Sequence, residues 1–228
     1  MTAAPGRVDG GAGHVSLADA VPRVFWLDDP ARPDPLAPLT GRVDVDLAVV
    51  GGGYTGLWTA LRAVERQPGI SVAVLEAGRC GFEASGRNGG FCSASLTHGL
   101  LNGVARWPDE IDELERQGAA NLRGILATIA QHDIDCRPER TGELAVATAP
   151  HEVDDLRESW QVMTDHGSAP TWLGPEEVRG RVDSPTYLAG LHDPHGTVMV
   201  EPARLAWGLR QACLDAGVVV HEGSAVRD

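Results

Sequence analysis

Residues 47–76 read LAVVGGGYTGLWTALRAVERQPGISVAVLE, and this stretch decides the fold. The β-branched run Val43–Val50 ends in three glycines, which is typical of a buried parallel strand that leads into a tight turn. Apolar residues then recur at three- and four-residue steps up to Gln67, so the spacing predicts a helix. Ser71–Leu75 is a second apolar run. The stretch therefore predicts a strand-helix-strand unit with a right-handed crossover.

The turn of this unit contains the pattern Gly51-x-Gly53-x-x-Gly56, directly after a strand and directly before a helix. In that context the first glycine permits the turn, the second lets the backbone approach a pyrophosphate, and the third lets helix and strand pack closely. Glu76 follows Gly56 by about 20 residues, where a carboxylate accepts hydrogen bonds from ribose hydroxyls. The pattern predicts a dinucleotide site, for a flavin or a nicotinamide. The alternative is a glycine-rich turn beside a solvated glutamate.

Residues 77–91, AGRCGFEASGRNGGF, are too rich in glycine for a packed helix and are predicted to form a loop around a ligand. The segments Glu76–Arg79 and Ala84–Phe91 resemble the second signature of FAD-dependent amine and amino-acid oxidoreductases. These form the superfamily of D-amino-acid oxidase, glycine oxidase and sarcosine oxidase, and nicotinamide dehydrogenases lack the signature. With Phe25–Leu27 upstream, the chain is most similar to the γ-glutamylputrescine oxidoreductase branch. The resemblance extends over nearly the whole chain from about Phe25.

This resemblance implies that the cofactor is FAD and assigns roles to individual residues. The glycines of the turn would hold the pyrophosphate, Glu76 the adenosine ribose, and Ser85 a phosphate. Residues 87–90 would pass close to the flavin ring or its ribityl chain, and Arg79 would lie beside the adenine. The implied cofactor-binding residues are Gly51, Gly53, Tyr54, Thr55, Gly56, Glu76, Ala77, Arg79, Ser85, Arg87, Asn88, Gly89, Gly90 and Val226, the last in a strand bordering the adenine.

The same resemblance implies the chemistry, which is removal of a hydride from the carbon next to an amine, its delivery to flavin N5, and hydrolysis of the resulting imine. The cofactor carries this reaction, so no acid–base pair is required and no catalytic residue is assigned. The expected partner is a small amine or amino acid. A non-catalytic FAD-binding fragment and a nicotinamide-linked dehydrogenase stay open as alternatives. Covalent flavin attachment through Cys80, Cys92 or His98 and a purely surface role for Arg87 are further alternatives.

The predicted fold class is α/β, with a Rossmann-like FAD-binding domain and the start of an α+β substrate domain. The predicted divisions are 1–42 as an extended arm, 43–135 as FAD-binding, 136–196 as a partial substrate domain and 197–228 as a return to the FAD-binding domain. Because members of the superfamily are usually much longer, the C-terminal half is expected to be absent. Further helices are predicted at 109–132, from Pro150 and at 202–216, with Trp160 in the core, and further strands at 142–148, 197–200 and 218–220.

Composition excludes several classes of protein. Lys and Arg total 19 and Asp and Glu total 32, which gives a net charge of 19 − 32 = −13 and disfavours a nucleic-acid partner. No apolar run approaches the roughly 20 residues of a membrane-spanning helix, and no secretory signal is recognisable. The four cysteines have no paired spacing, so we expect no metal site and a cytoplasmic location. The oligomeric state is not predicted.

Overall fold

The computed structural model describes residues 23–227, which form an α/β structure with three small sheets. The strands are β1 (Leu47–Val50), β2 (Val72–Leu75), β3 (Phe91–Ser93), β4 (Glu143–Ala147), β5 (Thr171–Leu173), β6 (Ala189–Asp193), β7 (Thr197–Met199) and β8 (Val219–His221). The α-helices are α1 (Tyr54–Arg66), α2 (Leu100–Arg106), α3 (Ile111–Gln131), α4 (Pro150–Asp165), α5 (Pro175–Arg181) and α6 (Pro202–Asp215). Short 3-10 helices lie at Phe25–Leu27 and Ala84–Gly86.

The first sheet has the strand order β1-β2-β8, and all its strands are parallel. The strand-helix-strand unit predicted from residues 47–76 is confirmed, with α1 between β1 and β2. The first strand is shorter than predicted, because pairing with β2 begins at Leu47 rather than at Val43. Just before the strand, the carboxylate of Asp46 accepts hydrogen bonds from the amide (2.9 Å) and hydroxyl (2.6 Å) of Ser71. This side-chain contact lies at the point where the ladder begins.

Helices α1 and α6 pack against each other and against this sheet, and the helices and the sheet together supply most of the buried residues of the main core. The alternate positions of β2 do not divide into an inner and an outer face, because Val72, Ala73 and Val74 are all buried. Burial on both faces is typical of a parallel sheet that is covered on both sides. The core therefore supports the carboxyl edge of β1 and β2, where the glycine turn lies.

The other two sheets are antiparallel. One pairs β3 with β7, and the other has the order β4-β6-β5 and lies beside α4 and α5. Helix α4 forms where it was predicted, but it contains no buried residue and Trp160 is 37% exposed, so the prediction that this tryptophan belongs to the core is wrong. The assignment of residues 136–196 to a substrate domain stays a prediction.

The N-terminal arm was predicted over residues 1–42, and residues 1–22 lie outside the described residues. Residues 23–42, called the arm below, contain no strand and only one short 3-10 helix among the described positions. The arm is nevertheless attached to the first sheet and to α6. The amide of Leu36 donates to Glu222 (2.9 Å), the amide of Leu39 donates to Ser224 (2.8 Å), and Asp29 pairs with Arg204 (2.7 Å).

Candidate functional site

The glycine turn, residues 51–53, joins β1 to α1 and follows the predicted pattern. Gly51 has φ of +100°, which glycine adopts without strain. A Cβ atom at Gly56 would overlap the carbonyl oxygen of Gly51 and would lie 3.3 Å from Val49 Cγ1. Gly51 is thus required by its backbone conformation and Gly56 by close packing, as the pattern Gly51-x-Gly53-x-x-Gly56 predicts.

The N-terminus of α1 is open toward the loop that follows β2. The amide of Tyr54 donates to Ser85 Oγ at 2.9 Å, whereas within residues 23–227 the amides of Thr55 and Gly56 donate to no protein acceptor. A Cβ atom at Gly53 would meet only Ser85 Oγ, at 3.0 Å. Because the serine hydroxyl accepts from Tyr54, its own hydrogen is free to donate. Two free amides and one hydroxyl therefore converge at a helix N-terminus, which favours an anion.

Glu76 is half-buried at the end of β2 and lies against the glycine turn. Its Oε2 atom accepts a hydrogen bond from the Gly52 amide at 2.7 Å, and its Oε1 atom accepts one from the Gly78 amide at 2.7 Å. A carboxylate offers roughly four lone-pair sites, so about two remain for hydroxyl donors. The side chain is held in one position beside the turn and keeps the capacity to bind a ribose.

Arg79 lies on the arm side of this edge. Its guanidinium Nε is 3.1 Å from Glu222 Oε2, and its Nη2 atom donates to the carbonyl of Pro33. Ala77, between Glu76 and Arg79, is exposed. The Arg79 guanidinium therefore contacts protein groups on this side. Its predicted contact with adenine stays a prediction.

The loop of residues 84–90 is organised by Asn88. Its Nδ2 atom donates to the carbonyls of Ala84 (3.1 Å) and Ser85 (3.0 Å), and its Oδ1 atom accepts from the Gly90 amide at 2.9 Å. Gly90 has φ of +80°, and a Cβ atom there would overlap the carbonyl oxygen of Val200. These contacts hold Ser85 in front of α1.

Arg87 and Gly89 belong to the same loop but face outward. The Nε atom of Arg87 donates to the Phe82 carbonyl at 2.6 Å, and the guanidinium lies 4.4 Å from the centroid of the Phe82 ring. Gly89 is exposed, and a Cβ atom there would contact the ring of Phe91 at 3.1 Å. Phe91 itself is 69% exposed, an aromatic side chain at the end of the ligand loop that the sequence analysis did not single out.

The prediction that Val226 lies in a strand is wrong. Strand β8 ends at His221, and Val226 lies in irregular chain with 53% of its surface exposed. Backbone contact with the β2 edge continues only as far as Ser224, whose amide donates to the Glu76 carbonyl at 2.8 Å. Residue 226 lies past the last of these contacts, so no neighbouring strand pairs with it.

Taken together, the residues at this edge fit a dinucleotide cofactor. The amides of Thr55 and Gly56 and the hydroxyl of Ser85 can donate to a pyrophosphate, and Glu76 can accept from a ribose. A missing Cβ at Gly53 leaves the space between these groups open except for Ser85. The fit extends over three chain segments, which are the glycine turn with the start of α1, the end of β2 and the loop that holds Ser85.

Other site types find less support in the described residues. From residue 23 to 227, no group of three or more His, Cys, Asp or Glu side chains is placed to hold a metal ion. All four cysteines are free, and burial together with the Glu222 carboxylate raises the pKa of the Cys80 thiol to about 12, which disfavours a reactive thiolate. The helices within this range are too short or too polar to cross a membrane.

A family model described as FAD dependent oxidoreductase matches residues 46–228. Gamma-glutamylputrescine oxidoreductase of Escherichia coli (strain K12) is 35% identical over 202 residues, which cover 84% of this chain and 45% of that protein. A protein of Rhizobium meliloti (strain 1021) named "Probable oxidoreductase OrdL" is 32% identical over 216 residues, 89% of this chain and 47% of that protein. The chain thus spans about half the length of the curated relatives it matches.

The fold also resembles solved structures. Glycine oxidase from Geobacillus kaustophilus superposes with a TM-score of 0.64 at 24% sequence identity, over 78% of this chain and 46% of that chain. At that identity the likeness shows the fold alone, and it confirms the predicted Rossmann-like α/β class. Sequence and structure comparisons therefore agree with the resemblance that the two sequence signatures indicated.

Proposed function

Because the chain belongs to the FAD dependent oxidoreductase family, we propose that it forms the FAD-binding part of an enzyme that oxidises the C–N bond of an amine or amino acid. The glycine fingerprint alone allows a flavin or a nicotinamide, and the family selects FAD. The observation that carries the proposal is the convergence of the Thr55 and Gly56 amides, the Ser85 hydroxyl and the Glu76 carboxylate at one edge of the sheet.

Each of these groups has a defined task in the proposed site. The amides of Thr55 and Gly56 donate to the pyrophosphate, whose charge is favoured by the positive end of the α1 dipole. Ser85 adds a hydroxyl donor, and its position is set by its bond to the Tyr54 amide. Glu76 accepts hydrogen bonds from the adenosine ribose with the lone pairs that Gly52 and Gly78 do not use. The carboxylate would repel a ribose phosphate, which favours an unphosphorylated adenosine.

The loop of residues 87–90 is proposed to pass along the flavin end of the cofactor. Asn88 holds this loop in shape through three hydrogen bonds. Arg87, an exposed cation that contacts the Phe82 carbonyl and ring, is proposed to add positive charge to this end of the site. FAD, when bound, supplies the acceptor for the electron pair that leaves the C–N bond. The residues of this chain then bind and orient the cofactor, and none is assigned to proton transfer.

The proposed substrate is an amine of the γ-glutamylputrescine kind. Support comes from the relative that is 35% identical, whose name gives this compound as its substrate. Residues 136–196, which include the sheet β4-β6-β5, are proposed as part of the substrate domain. A cytoplasmic location stays a prediction, for which the four free cysteines are the supporting observation.

The test uses the 228-residue chain, purified and loaded with FAD. We expect saturable FAD binding with a visible flavin spectrum and anaerobic bleaching of that spectrum by an amine. The candidate amines are γ-glutamylputrescine, glycine and a D-amino acid, and a 2-hydroxy acid serves as the C–O control. Bound flavin that no amine bleaches would reduce the role to FAD binding without turnover. Bleaching by the hydroxy acid alone would contradict amine oxidation, and failure to bind FAD would contradict the proposal as a whole.

A further inference from the structure

We propose that Glu222 is a positioning residue that connects the N-terminal arm to the glycine turn, so that attachment of the arm and binding of FAD strengthen each other. The inference rests on the proposed FAD site and adds to it a means of control. Glu222 follows β8 and is not among the residues that the sequence indicated. Only 3% of its surface is exposed, so its carboxylate is one of the few buried charges in the described part of the chain.

The carboxylate of Glu222 contacts three other segments of the chain. Its Oε1 atom accepts a hydrogen bond from the Cys80 amide at 2.8 Å, and its Oε2 atom accepts one from the Leu36 amide at 2.9 Å. Two guanidinium groups pair with it, with Arg79 Nε at 3.1 Å and Arg210 Nε at 3.5 Å. We call these five residues the Glu222 cluster. It joins the arm, the loop after β2, and α6 at a single buried group.

The same cluster holds the arm by its carbonyl groups as well. Arg210 Nη2 donates to the carbonyl of Asp34 at 2.8 Å, and Arg79 Nη2 donates to the carbonyl of Pro33. The arm has no strand partner and no α-helix in its described part, so these side-chain contacts replace the backbone ladder that would otherwise hold it. Loss of the Glu222 charge would therefore loosen the arm first at residues 33–36.

From the cluster, backbone hydrogen bonds lead directly to the glycine turn. Cys80, whose amide Glu222 holds, is followed by Gly81, and the Gly81 amide donates to the Gly52 carbonyl at 2.9 Å. The amide of the same Gly52 donates to Glu76 Oε2 at 2.7 Å. Glu222 thus fixes one side of the turn, and Glu76 fixes the other. No residue on the path from Leu36 to the turn is exposed, since Leu36 is half-buried and the residues after it are buried.

Electrostatics favour the ionised form of Glu222. Burial alone would raise the pKa of this carboxyl, but the amides of Cys80 and Leu36 and the charges of Arg210 and Arg79 outweigh it, so the pKa is lowered. Removing the charge would leave two largely buried guanidinium groups without their counter-ion, and breaking a buried pair in this way is much more costly than the pair is stabilising.

The family model begins at residue 46, after the arm, whereas the alignments with relatives cover 84% and 89% of the chain and so include part of the arm. The arm, residues 23–42, reaches the cofactor edge through one buried carboxylate and places no group of its own there, so it is suited to adjust affinity rather than to carry the chemistry. Attachment of the arm and binding of FAD would share one coupling free energy, and such coupling is reciprocal. FAD should therefore protect the arm by the same factor by which the attached arm increases FAD affinity.

The test measures both sides of this coupling in the 228-residue chain and in Glu222→Gln. FAD affinity is taken from flavin fluorescence, and arm attachment from hydrogen exchange of the Leu36 and Leu39 amides with and without FAD. In the unaltered chain we expect FAD to slow exchange at both amides. In Glu222→Gln we expect FAD affinity to fall about tenfold, which is within the usual range for coupled sites. We also expect that FAD no longer slows exchange at the two amides. A purely structural role would lower thermal stability and leave the protection factor unchanged.

Asp44→Asn is the matched control, because Asp44 is an exposed carboxylate close to the arm that pairs only with Arg42 among the described residues. It should change neither quantity. Ser224→Ala removes the acceptor of the Leu39 amide without removing a charge, and it should weaken FAD binding in the same direction by a smaller factor. If Glu222→Gln does not fold, the FAD affinity of Ser224→Ala tests the proposed coupling in its place.

Failure of the unaltered chain to bind FAD would contradict the proposed function and with it this inference. If the unaltered chain binds FAD, two results would overturn the inference alone. One is equal FAD affinity in the unaltered chain, Glu222→Gln and Ser224→Ala. The other is exchange at Leu36 and Leu39 that does not respond to FAD.

Discussion

The region around β1-β2-β8 and the region around β4-β6-β5 are built from the same kinds of elements, yet they differ in how deeply those elements are packed. Helix α6 of the first region buries nine residues, whereas helix α4 of the second buries none. The first region also contains the buried carboxylate Glu222 and the half-buried Glu76, both held by backbone amides. The second presents Trp160 at its surface, close to Trp172.

This difference teaches that apolar periodicity predicts a helix but does not predict what covers its apolar face. Both α4 and α6 show apolar residues at helical spacing. Only α6 lies between a parallel sheet and another helix, where the apolar face is enclosed. Deep packing of the first region is also what allows it to fix polar groups in place, and the proposed cofactor site lies there.

The largest effect is expected for Gly56→Ala. The new Cβ atom would overlap the Gly51 carbonyl oxygen and press on Val49, and backbone atoms in a packed turn cannot move away. We expect a loss of about 5 kcal/mol in the free energy of unfolding, at the far end of the range for single substitutions, and loss of FAD binding. Urea unfolding followed by circular dichroism measures it.

Gly124→Ala is the control for that prediction. Gly124 lies in α3 and has no atom within 4 Å of the added Cβ, so alanine should stabilise the helix by about 0.5–1 kcal/mol. Equal stability of the two variants would show that the turn is not closely packed.

Two tryptophans test the contrast in packing directly. Trp207 on α6 is 8% exposed and packs against Leu27 and Ala203, so Trp207→Ala should lower the free energy of unfolding by about 3–5 kcal/mol. Trp160→Ala on α4 should cost about 1 kcal/mol or less, because the side chain is already partly in water. Urea midpoints of the two variants give the comparison, and a larger loss for Trp160 would reverse it.

Gly53→Ala should separate cofactor binding from folding. The added methyl group would meet only Ser85 Oγ within the protein, so the chain should fold, but it would occupy the space proposed for the pyrophosphate. We expect FAD affinity to fall about a hundredfold or more, with little change in the urea midpoint. Fluorescence titration and unfolding on the same sample measure both. Unchanged FAD content would remove the glycine turn from the proposed site.

The smallest of these effects is expected for Glu76→Gln. One acceptor oxygen becomes an amide group that cannot accept from Gly52, Gly78 or a ribose hydroxyl, and a hydrogen bond to a charged group contributes about 1.5–3 kcal/mol. FAD affinity should fall about tenfold. Glu83→Gln, an exposed residue of the same loop, is the control and should bind FAD normally. Equal affinities for the two variants would argue against a ribose contact at Glu76.

Much of the fold could be predicted because its signals are local. The turn at residues 51–53, the helix that follows it and the second strand lie within one continuous stretch. Helices α2 and α5 and strands β3, β5 and β6 were not predicted. The two helices have seven residues each, too few for a helical period to stand out, and β3 and β5 have three each. Helix α5 does carry a start signal, since Glu177 accepts a hydrogen bond from the Gly174 amide at 2.7 Å.

The residues of the site also divide into local ones, which could be predicted, and ones with distant partners, which could not. Gly51, Gly56 and Glu76 occupy the positions that their spacing predicts, because the turn and its two strands are local structure. Glu222 could not be predicted, because its partners Cys80 and Leu36 are 142 and 186 residues away in the chain. Val226 was assigned to a strand by resemblance, and nothing in its own neighbourhood would have shown that pairing stops at Ser224.

The most direct test of the central claim is a two-dimensional amide NMR spectrum of the ¹⁵N-labelled chain during titration with FAD. The account predicts large shifts for the amides of Thr55 and Gly56, which donate to no protein acceptor in the described structure, while the Gly124 amide in α3 stays in place. FAD that binds with saturation and leaves the Thr55 and Gly56 resonances unmoved would contradict the account.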